Sequence, residues 1–524
     1  MKNKDTFKDV EKFEEIENQV QNIASLGKRD EANKDETNYV YEVASVNERT
    51  ALYAYLSSDL IDTISSLPNV ISCLPRRKFS LTNIFNNKDI KAETKWKDVK
   101  TKNNAPIHLS LISQGRFDEE LVGKYDKNYY YPKTAGKDID IFMFDAGFNF
   151  TYRDFPKTKD RTVKCEVIVD NGKVHKSLSS DTCYYFDYED HGSQTAAVAS
   201  GTVHGVANRA NTYGIVVVSE DRTVFWENLM AGLKYVKNNL FRPNKAVFNF
   251  SFGQFFKNEE LVKDDIKMLQ ELISEISNKG AVFVASAGNE GSQVKDEVYG
   301  RSFIPCVLDD VICVGGIANN MEENQNIRIA DFLHPINDNM ATAQYTREFI
   351  SNYGKGVDIY APFWIHYDSS LLLNVDLYYV LTEEGYKLKN PITLNNDYVF
   401  VKRIDMINGG TSFSSPIVAG VAATIMGENT DVKYNTKTML EYLIENGEKN
   451  IIEFADQPNV FINNGKHTVY SRNLIYHGCG TYSGNKKCGR NQCCGGNSHC
   501  QVSDSDSCKV SEGCQIAFGK CLSE

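Results

Sequence analysis

Between residues 138 and 426 the chain alternates short, almost wholly apolar runs with stretches in which apolar residues recur every three or four positions. The runs IDIFMF (139–144), YGIVVV (213–218), AVFNF (246–250), AVFVAS (281–286) and VICVG (311–315) are too short for helices and show no polar alternation. They predict strands buried on both faces. In NEELVKDDIKMLQELISEISNKG, Val262, Ile266, Leu269, Ile273 and Ile276 predict one face of an amphipathic helix, with Gly280 as its C′ stop. Strand–helix–strand alternation predicts an α/β fold with a mainly parallel sheet. In such a sheet a ligand site lies beyond the C-terminal ends of the strands.

The flanks read differently. Residues 1–36 are charge-rich and predict a solvated leader. In 37–80, YVYEVAS predicts a strand and SSDLIDTISSLP a helix capped by Ser57 or Ser58, with Leu60, Ile61, Ile64 and Leu67 on its apolar face. NVISCLP predicts a second strand, so this segment forms a small α+β unit ending near PRRK. Residues 81–105 are polar and read as linker. The main domain then spans 106–450, with 451–478 as its end or a linker. Residues 364–405, rich in Tyr, Leu and Asn, read as an insertion of strands or loops.

A hydrophobic fraction of 41% and a charged fraction of 24% exclude a mainly disordered chain. The net charge of −11 argues against nucleic acid or anionic membrane as a partner. No apolar run is long enough for a transmembrane helix. Of 13 cysteines, eight lie between Cys479 and Cys521. Such density predicts a disulfide framework and an oxidising compartment. The first residues carry no apolar signal segment. The cysteines outweigh that, and the expectation is a secreted or cell-wall protein. Cys165 with Cys183, and Cys306 with Cys313, bracket loops and are expected to pair; closing the first loop would contribute roughly 3 kcal/mol. Cys73 is then a free thiol. The sequons at Asn149 and Asn249 adjoin predicted core strands and are expected to carry no glycan.

Four positions carry chemistry. Asp145 ends the first strand in FMFDAGFNF. His191 opens a small-residue helix in DHGSQTAAVASG. Asn289 follows the fourth strand in VASAGNEG. Ser412 precedes a helix in NGGTSFSSPIVAGVAATI, where Pro416 suits the first turn and Ile417, Val418, Val421 and Ile425 form the buried face. A serine hydroxyl is a weak nucleophile until a base takes its proton. Histidine is that base near neutral pH, and a carboxylate orients it and stabilises the imidazolium. An amide donor, helped by a helix N-terminus, stabilises the oxyanion.

Asp-Ala-Gly, His-Gly-Ser, Gly-Asn-Glu and Gly-Thr-Ser-x-Ser-x-Pro, in that order, resemble the motifs of the subtilisin-like serine proteases. The resemblance covers roughly 130–440 and implies a subtilisin-like three-layer fold. It implies Asp145 as orienting acid, His191 as general base and acid, Ser412 as nucleophile and Asn289 as oxyanion donor. Ser251-Phe252-Gly253 resembles the family's strand end that pairs with substrate backbone. Ala285-Ser286-Ala287-Gly288 resembles the opposite wall of the specificity pocket. Apolar Phe252 and small Ala285 and Ala287 suggest broad apolar acceptance before the scissile bond. The chain departs from the family at Gln194, where a second histidine is usual. It departs again at Phe363, where Ala-Pro-Gly becomes Ala361-Pro362-Phe363.

Residues 37–80 resemble the family's inhibitor-type propeptide, which implies an intramolecular chaperone and inhibitor removed by self-cleavage between roughly 78 and 110. A parallel sheet of high contact order folds slowly, so a template would help. The spacing C-x8-C-x4-CC-x5-C-x7-C-x5-C-x6-C in 479–521 resembles hevein-type chitin-binding modules. That resemblance implies the pairs Cys479–Cys494, Cys488–Cys500, Cys493–Cys508 and Cys514–Cys521, with chitin or another N-acetylglucosamine polymer as partner. The module's aromatic slots hold Asn497, His499 and Ser507 instead, with Ser503, Ser505 and Phe518 nearby, which argues against sugar stacking. The expectation is a secreted serine endopeptidase made as a zymogen, acting on proteins and peptides and inhibited by its own propeptide. It needs no cofactor; structural calcium is common in such proteins, but no compact acidic loop assigns its ligands. The alternative is a non-catalytic cell-wall or carbohydrate-binding protein on a degenerate scaffold.

Overall fold

The computed structural model describes residues 20, 40–46, 49–54, 60–68, 70–74, 87–115, 126–184, 190–219, 223–318, 345–368, 378–382, 385–389, 400–401, 405–470, 479–480, 487–489, 491–496, 499–502 and 505–523. The chain divides into two compact units, Met1–Asn83 and Ile84–Glu524.

In the first unit Val40–Val46 pairs antiparallel with Arg49–Ala54, and a short helix spans Ile61–Ser65. Val40 and Ile64 form its small core, with Leu52 and Leu67 against them. The second strand is therefore RTALYA; the described residues of NVISCLP, Val70–Leu74, join no strand pair among the described residues. In RTALYA the apolar residues are nearly continuous, which hides the strand period. Ser57, Ser58 and the 75–78 boundary, like most of the 1–36 leader, lie outside the described residues.

The second unit is built on an eleven-stranded sheet. Its strands in chain order are β1 (Asp140–Asp145), β2 (Val163–Asp170), β3 (Lys173–Lys176), β4 (Asn211–Val216), β5 (Ala246–Phe250), β6 (Ala281–Ser286), β7 (Ile312–Ala318), β8 (Ile359–Pro362), β9 (Glu448–Lys449) and β10 (Val460–Phe461). Thr346–Arg347 pairs beside β7. The spatial order is β9-β10-β8-β7-β6-β5-β1-β4-β2-β3. Pairing is parallel from β10 to β2 and antiparallel at both edges. The order reverses between β1 and β5, and at such a switch point the chain opens a crevice beyond the strand ends.

The apolar runs dictate this centre. All residues of β1, β5 and β6 are buried. Phe142, Phe248 and Phe283 stand in register across the three strands, with ring centroids 5.0 and 4.4 Å apart. Aromatic pairs at these distances add to simple area burial. Helices α1 (His191–Ser200), α2 (Trp226–Asn239), α3 (Asp264–Asn278), α4 (Thr411–Glu428) and α5 (Thr436–Asn446) complete the fold. In α3, Ile266, Leu269, Ile273 and Ile276 are buried. Val262 lies before the helix and is exposed, because α3 begins only at Asp264. Every residue of α4 except Ser412 is buried, so the helix is enclosed all round and has no solvent-facing polar side. It starts at Thr411, which puts Pro416 in its second turn.

Residues 81–105 are not wholly linker. Asn87–Thr94 forms a helix and Val99–Lys102 pairs with Tyr129–Pro132. Their few apolar residues, Ile90, Trp96 and Val99, all pack with Tyr130 and Tyr470. Glu93 Oε1 accepts hydrogen bonds from the His467 and Thr468 N–H groups, both at 2.8 Å. Sparse apolar residues therefore sufficed because polar ones anchor the rest. The domain also runs past 450: Val460, Phe461, Ile462, Val469 and Tyr470 are buried. In the insertion, Trp364–Asp368 pairs antiparallel with Asp405–Gly409, and Tyr378–Thr382 pairs with Gly385–Lys389.

Six disulfides are present: Cys165–Cys183, Cys306–Cys313, Cys479–Cys494, Cys488–Cys500, Cys493–Cys508 and Cys514–Cys521. Cys73 is a free thiol. Among the described residues the one group with metal-ligand spacing, Cys479, Cys488 and Cys494, is disulfide-bonded, which leaves no thiolate for an ion. No helix of the described residues is long and apolar enough to cross a membrane.

One carboxyl opposes the fold. Asp358 precedes β8, and its Oδ2 accepts the Cys313 N–H at 2.9 Å. Burial raises it from the ordinary carboxylate value to about 6. Below the unfolded value both states hold the proton. Between the two values only the folded state does. Above about 6 both have lost it, and the folded state carries the full cost of a buried charge. A rise of that size is worth ~3 kcal/mol, and partial solvent access trims this to about 2. Asp358→Asn keeps the acceptor and removes the charge. In an inactive Ser412→Ala background, it should raise stability by about 2 kcal/mol at pH 7.5 and by under ~1 at pH 4.5. Equal gains at both pH values in urea unfolding would show the charge is not the cause.

Candidate active site

Asp145 is the last residue of β1, at the C-terminal ends of the parallel strands. It is buried, and three donors fix its carboxylate. Oδ1 accepts from His191 Nδ1 and from the Ala146 N–H, each at 2.7 Å. Oδ2 accepts from Thr195 Oγ1 at 3.1 Å. Thr195 lies one turn after His191 on α1, so one helix face presents both groups to the carboxylate. The His191 side chain is about one third exposed. A proton held on Nδ1 by Asp145 makes Nε2 the basic nitrogen.

Ser412 sits one residue inside α4, next to Phe413, whose ring centroid is 5.9 Å from that of His191. Its Oγ donates to the Ser251 carbonyl at 3.1 Å. Pro416 has no N–H, so the Ser412 carbonyl loses its usual helical partner four residues on. Ser251 Oγ donates to that carbonyl at 2.8 Å instead. Buried Asn249 supports Ser251 through its Nδ2, at 2.9 Å. Asn249 is thereby committed inside β5, where no glycan could attach. Asn149 is partly exposed, and its Oδ1 accepts from Thr151 N and Oγ1.

Asn289 is exposed just beyond β6. Its Oδ1 accepts from the Thr411 N–H at 2.9 Å and from Thr411 Oγ1 at 3.1 Å. The other end of the amide, Nδ2, is thus turned outward. A Cβ on Gly410 would lie 3.5 Å from Asn289 Nδ2 and 3.6 Å from the Ser412 nitrogen. Two nitrogens that carry hydrogen therefore lie close to one point beside Ser412, which is kept open by the absence of a side chain at Gly410. The Ser412 N–H belongs to the first turn of α4, where backbone donors have no helical acceptor. The helix dipole favours negative charge at the same place.

Sequence reasoning missed the part that holds Asn289. Asn352, fully buried, donates Nδ2 to the Ala287 carbonyl at 2.8 Å and to Glu290 Oε2 at 2.6 Å. Its Oδ1 accepts from the Glu290 and Ser292 N–H groups at 3.1 and 2.9 Å. One side chain fastens the whole 287–292 loop from sixty residues away. Nothing local in the sequence marks it, whereas the four-residue spacing of His191 and Thr195 could have marked Thr195.

Ser251 and Ser286 are nearly buried, Ala285 and Ala287 fully so. The two alanines lie in the main core and offer no surface to a ligand. Phe252 is half-buried against Phe250, and Gly253 is exposed. Gln194, at the position of the usual histidine, accepts from Asn408 Nδ2 at 2.5 Å through Oε1 and from the Tyr367 hydroxyl at 3.2 Å through its carbonyl. It thereby ties α1 to the Trp364–Asp368 and Asp405–Gly409 ribbon that leads into Ser412. Phe363 is fully buried, packing beside Trp364. In the C-terminal module Asn497, Ser498 and Ser503 lie outside the described residues. His499 is exposed there, and Ser505 Oγ and Ser507 Oγ are 2.8 Å apart.

A model of the subtilase family matches residues 136–458. The chain is 25% identical over 414 residues to the subtilase-type proteinase RRT12 of Saccharomyces cerevisiae, covering 74% of this chain and 67% of that protein. It is 24% identical over 315 residues to subtilisin-like protease 11 of Arthroderma gypseum, covering 60% of this chain and 58% of that protein. The chain therefore spans less than two thirds of the length of the Arthroderma relative. A cold-adapted subtilisin-like serine proteinase of known crystal structure aligns with 69% of this chain and 98% of its own, at 20% identity and a TM-score of 0.45.

Proposed function

The chain belongs to the subtilase family, and from that premise we propose that it is a serine endopeptidase working through Ser412, His191 and Asp145. The observation that carries this reading is the 2.7 Å bond from His191 Nδ1 to buried Asp145, set beside a nucleophile at the N-terminus of a buried helix. Ser412 Oγ leaves the Ser251 carbonyl, gives its proton to His191 Nε2 and attacks the peptide carbonyl carbon. The oxygen of that carbonyl becomes an anion between Asn289 Nδ2 and the Ser412 N–H. Collapse breaks the C–N bond, and His191 returns the proton to the leaving amine. Water, activated by the same histidine, then releases the acyl group from Ser412.

The first unit is read as a propeptide that templates the sheet and blocks the site until it is cut. Six disulfides fit an oxidising, extracellular location. The C-terminal module is read as a stapled knob, with no sugar affinity assigned to it.

Fluorophosphonate labelling with intact mass before and after incubation tests this. The expected result is one label on Ser412, absent from Ser412→Ala, with loss of an N-terminal piece cut between roughly residues 78 and 110. A folded, oxidised sample freed of that piece that takes no label would refute the catalytic reading.

A further inference from the structure

The segments that follow β5 and β6 run side by side past the strand ends, and both are fastened to the nucleophile. Ser251 Oγ donates to the Ser412 carbonyl at 2.8 Å, and the Gly288 N–H donates to Thr411 Oγ1 at 3.0 Å. Any slot between the two segments therefore opens at Ser412. Each segment offers a glycine to it, Gly253 on one side and Gly288, at φ +96°, on the other. Bare glycine walls would normally leave room for a large side chain.

That room is taken. A Cβ built on Gly253 would lie 2.4 Å from Cε1 and 3.0 Å from Cζ of Phe303, and one built on Gly288 would lie 2.6 Å from the same Cζ, with Asn352 Nδ2 and Glu290 Oε2 as close beside it. The tip of one phenyl ring thus sits against both walls at once. Phe303 is only 2% exposed. Its strand, Arg301–Ile304, pairs antiparallel with Gln254–Lys257 and with Lys295–Asp296. Its N–H donates to the Val294 carbonyl at 2.8 Å, and Phe255 packs edge-on at 5.1 Å. The Arg301 guanidinium covers the Phe255 ring at 4.1 Å. A ring held by a strand on either side and an aromatic neighbour cannot swing away cheaply, because close-packed interiors resist added volume.

We propose that Phe303 determines specificity by filling the slot between Gly253 and Gly288, so that only glycine, alanine or serine is accepted immediately before the scissile bond. This rests on the protease reading and replaces the broad apolar acceptance that Phe252, Ala285 and Ala287 suggest. Long aliphatic, aromatic and charged side chains collide with the phenyl ring, and a collision discriminates more sharply than a missing contact.

The test is kcat/KM of the processed full chain, titrated with fluorophosphonate, on peptide p-nitroanilides that differ only before the scissile bond: Gly, Ala, Leu, Phe and Lys. Wild type should favour Ala over Phe by about 100-fold or more, the scale that steric exclusion reaches in a tight pocket. Phe303→Ala should raise the Phe substrate at least about 30-fold while shifting the Ala substrate less than about 5-fold, and Phe303→Leu should fall between. The ratio of two substrates in one preparation is independent of the folded fraction. If Phe303→Ala does not fold, the Phe303→Leu ratio decides. A wild type that takes Phe or Leu as readily as Ala overturns the proposal, as does an unchanged ratio in the variants. Absence of both labelling and cleavage overturns the protease reading, and the pocket assignment with it.

Discussion

The Ser412→Ala enzyme is expected to turn over peptides about 10⁶-fold more slowly than wild type, the cost of losing the nucleophile in subtilisin itself. The loss should be almost purely kinetic. Ser412 is the only residue of α4 that is not buried, and its Oγ is engaged by a single hydrogen bond to the Ser251 carbonyl. Alanine is the best helix former, so the first turn of α4 loses nothing. The thermal midpoint and the affinity for a substrate-like peptide should stay near wild type. Asp145→Asn should cost about 10⁴-fold, because an amide at that position favours the wrong imidazole tautomer. The two losses should not add: the double variant should be as slow as Ser412→Ala alone, since the acid and the base matter only while there is a hydroxyl to activate. Steady-state kinetics on samples cleared of wild-type contamination settles this. Retention of more than about a thousandth of the activity by Ser412→Ala would place the nucleophile elsewhere.

What could be read in the sequence follows from how locally each feature is encoded. Strands buried on both faces leave little choice of residue, so AVFNF and AVFVAS coincide with β5 and β6. Asp145, His191, Asn289 and Ser412 stand at strand ends and helix starts, where short motifs surround them. Features that depend on distant partners were not readable. Asn87–Thr94 looks like linker because Ile90 finds its cover from Tyr130 and Tyr470. Val262 has the spacing of a helix face, yet the helix begins after it. Asn352 is one polar letter whose importance comes wholly from the loop it fastens. Phe252, Ala285 and Ala287 suggest broad apolar acceptance because the ring that packs against Gly253 and Gly288 arrives on Arg301–Ile304, a strand with no motif of its own.

Asn289 separates two roles that a simple deletion would confuse. Its Oδ1 holds Thr411 in place, while its Nδ2 faces the point where the oxyanion would form. Asn289→Ala removes both ends of the amide. Asn289→Asp keeps an oxygen for the Thr411 N–H and hydroxyl but replaces the donor by a second, negatively charged oxygen. If the amide serves mainly to position α4, aspartate should rescue the alanine variant. If it stabilises the oxyanion, aspartate should be the worse of the two, because it sets a negative charge against the one that develops. The expected result is the second. Asn289→Ala should lose about 10²–10³ in kcat, the range found for the corresponding amide of subtilisin. Asn289→Asp should lose at least as much, with KM and thermal midpoint close to wild type. Its activity should recover in part as pH falls and the carboxyl gains a proton, until loss of the free base on His191 limits the rate. Near-normal kcat in Asn289→Asp would assign the residue to holding the helix, and leave the Ser412 N–H as the principal donor to the oxyanion.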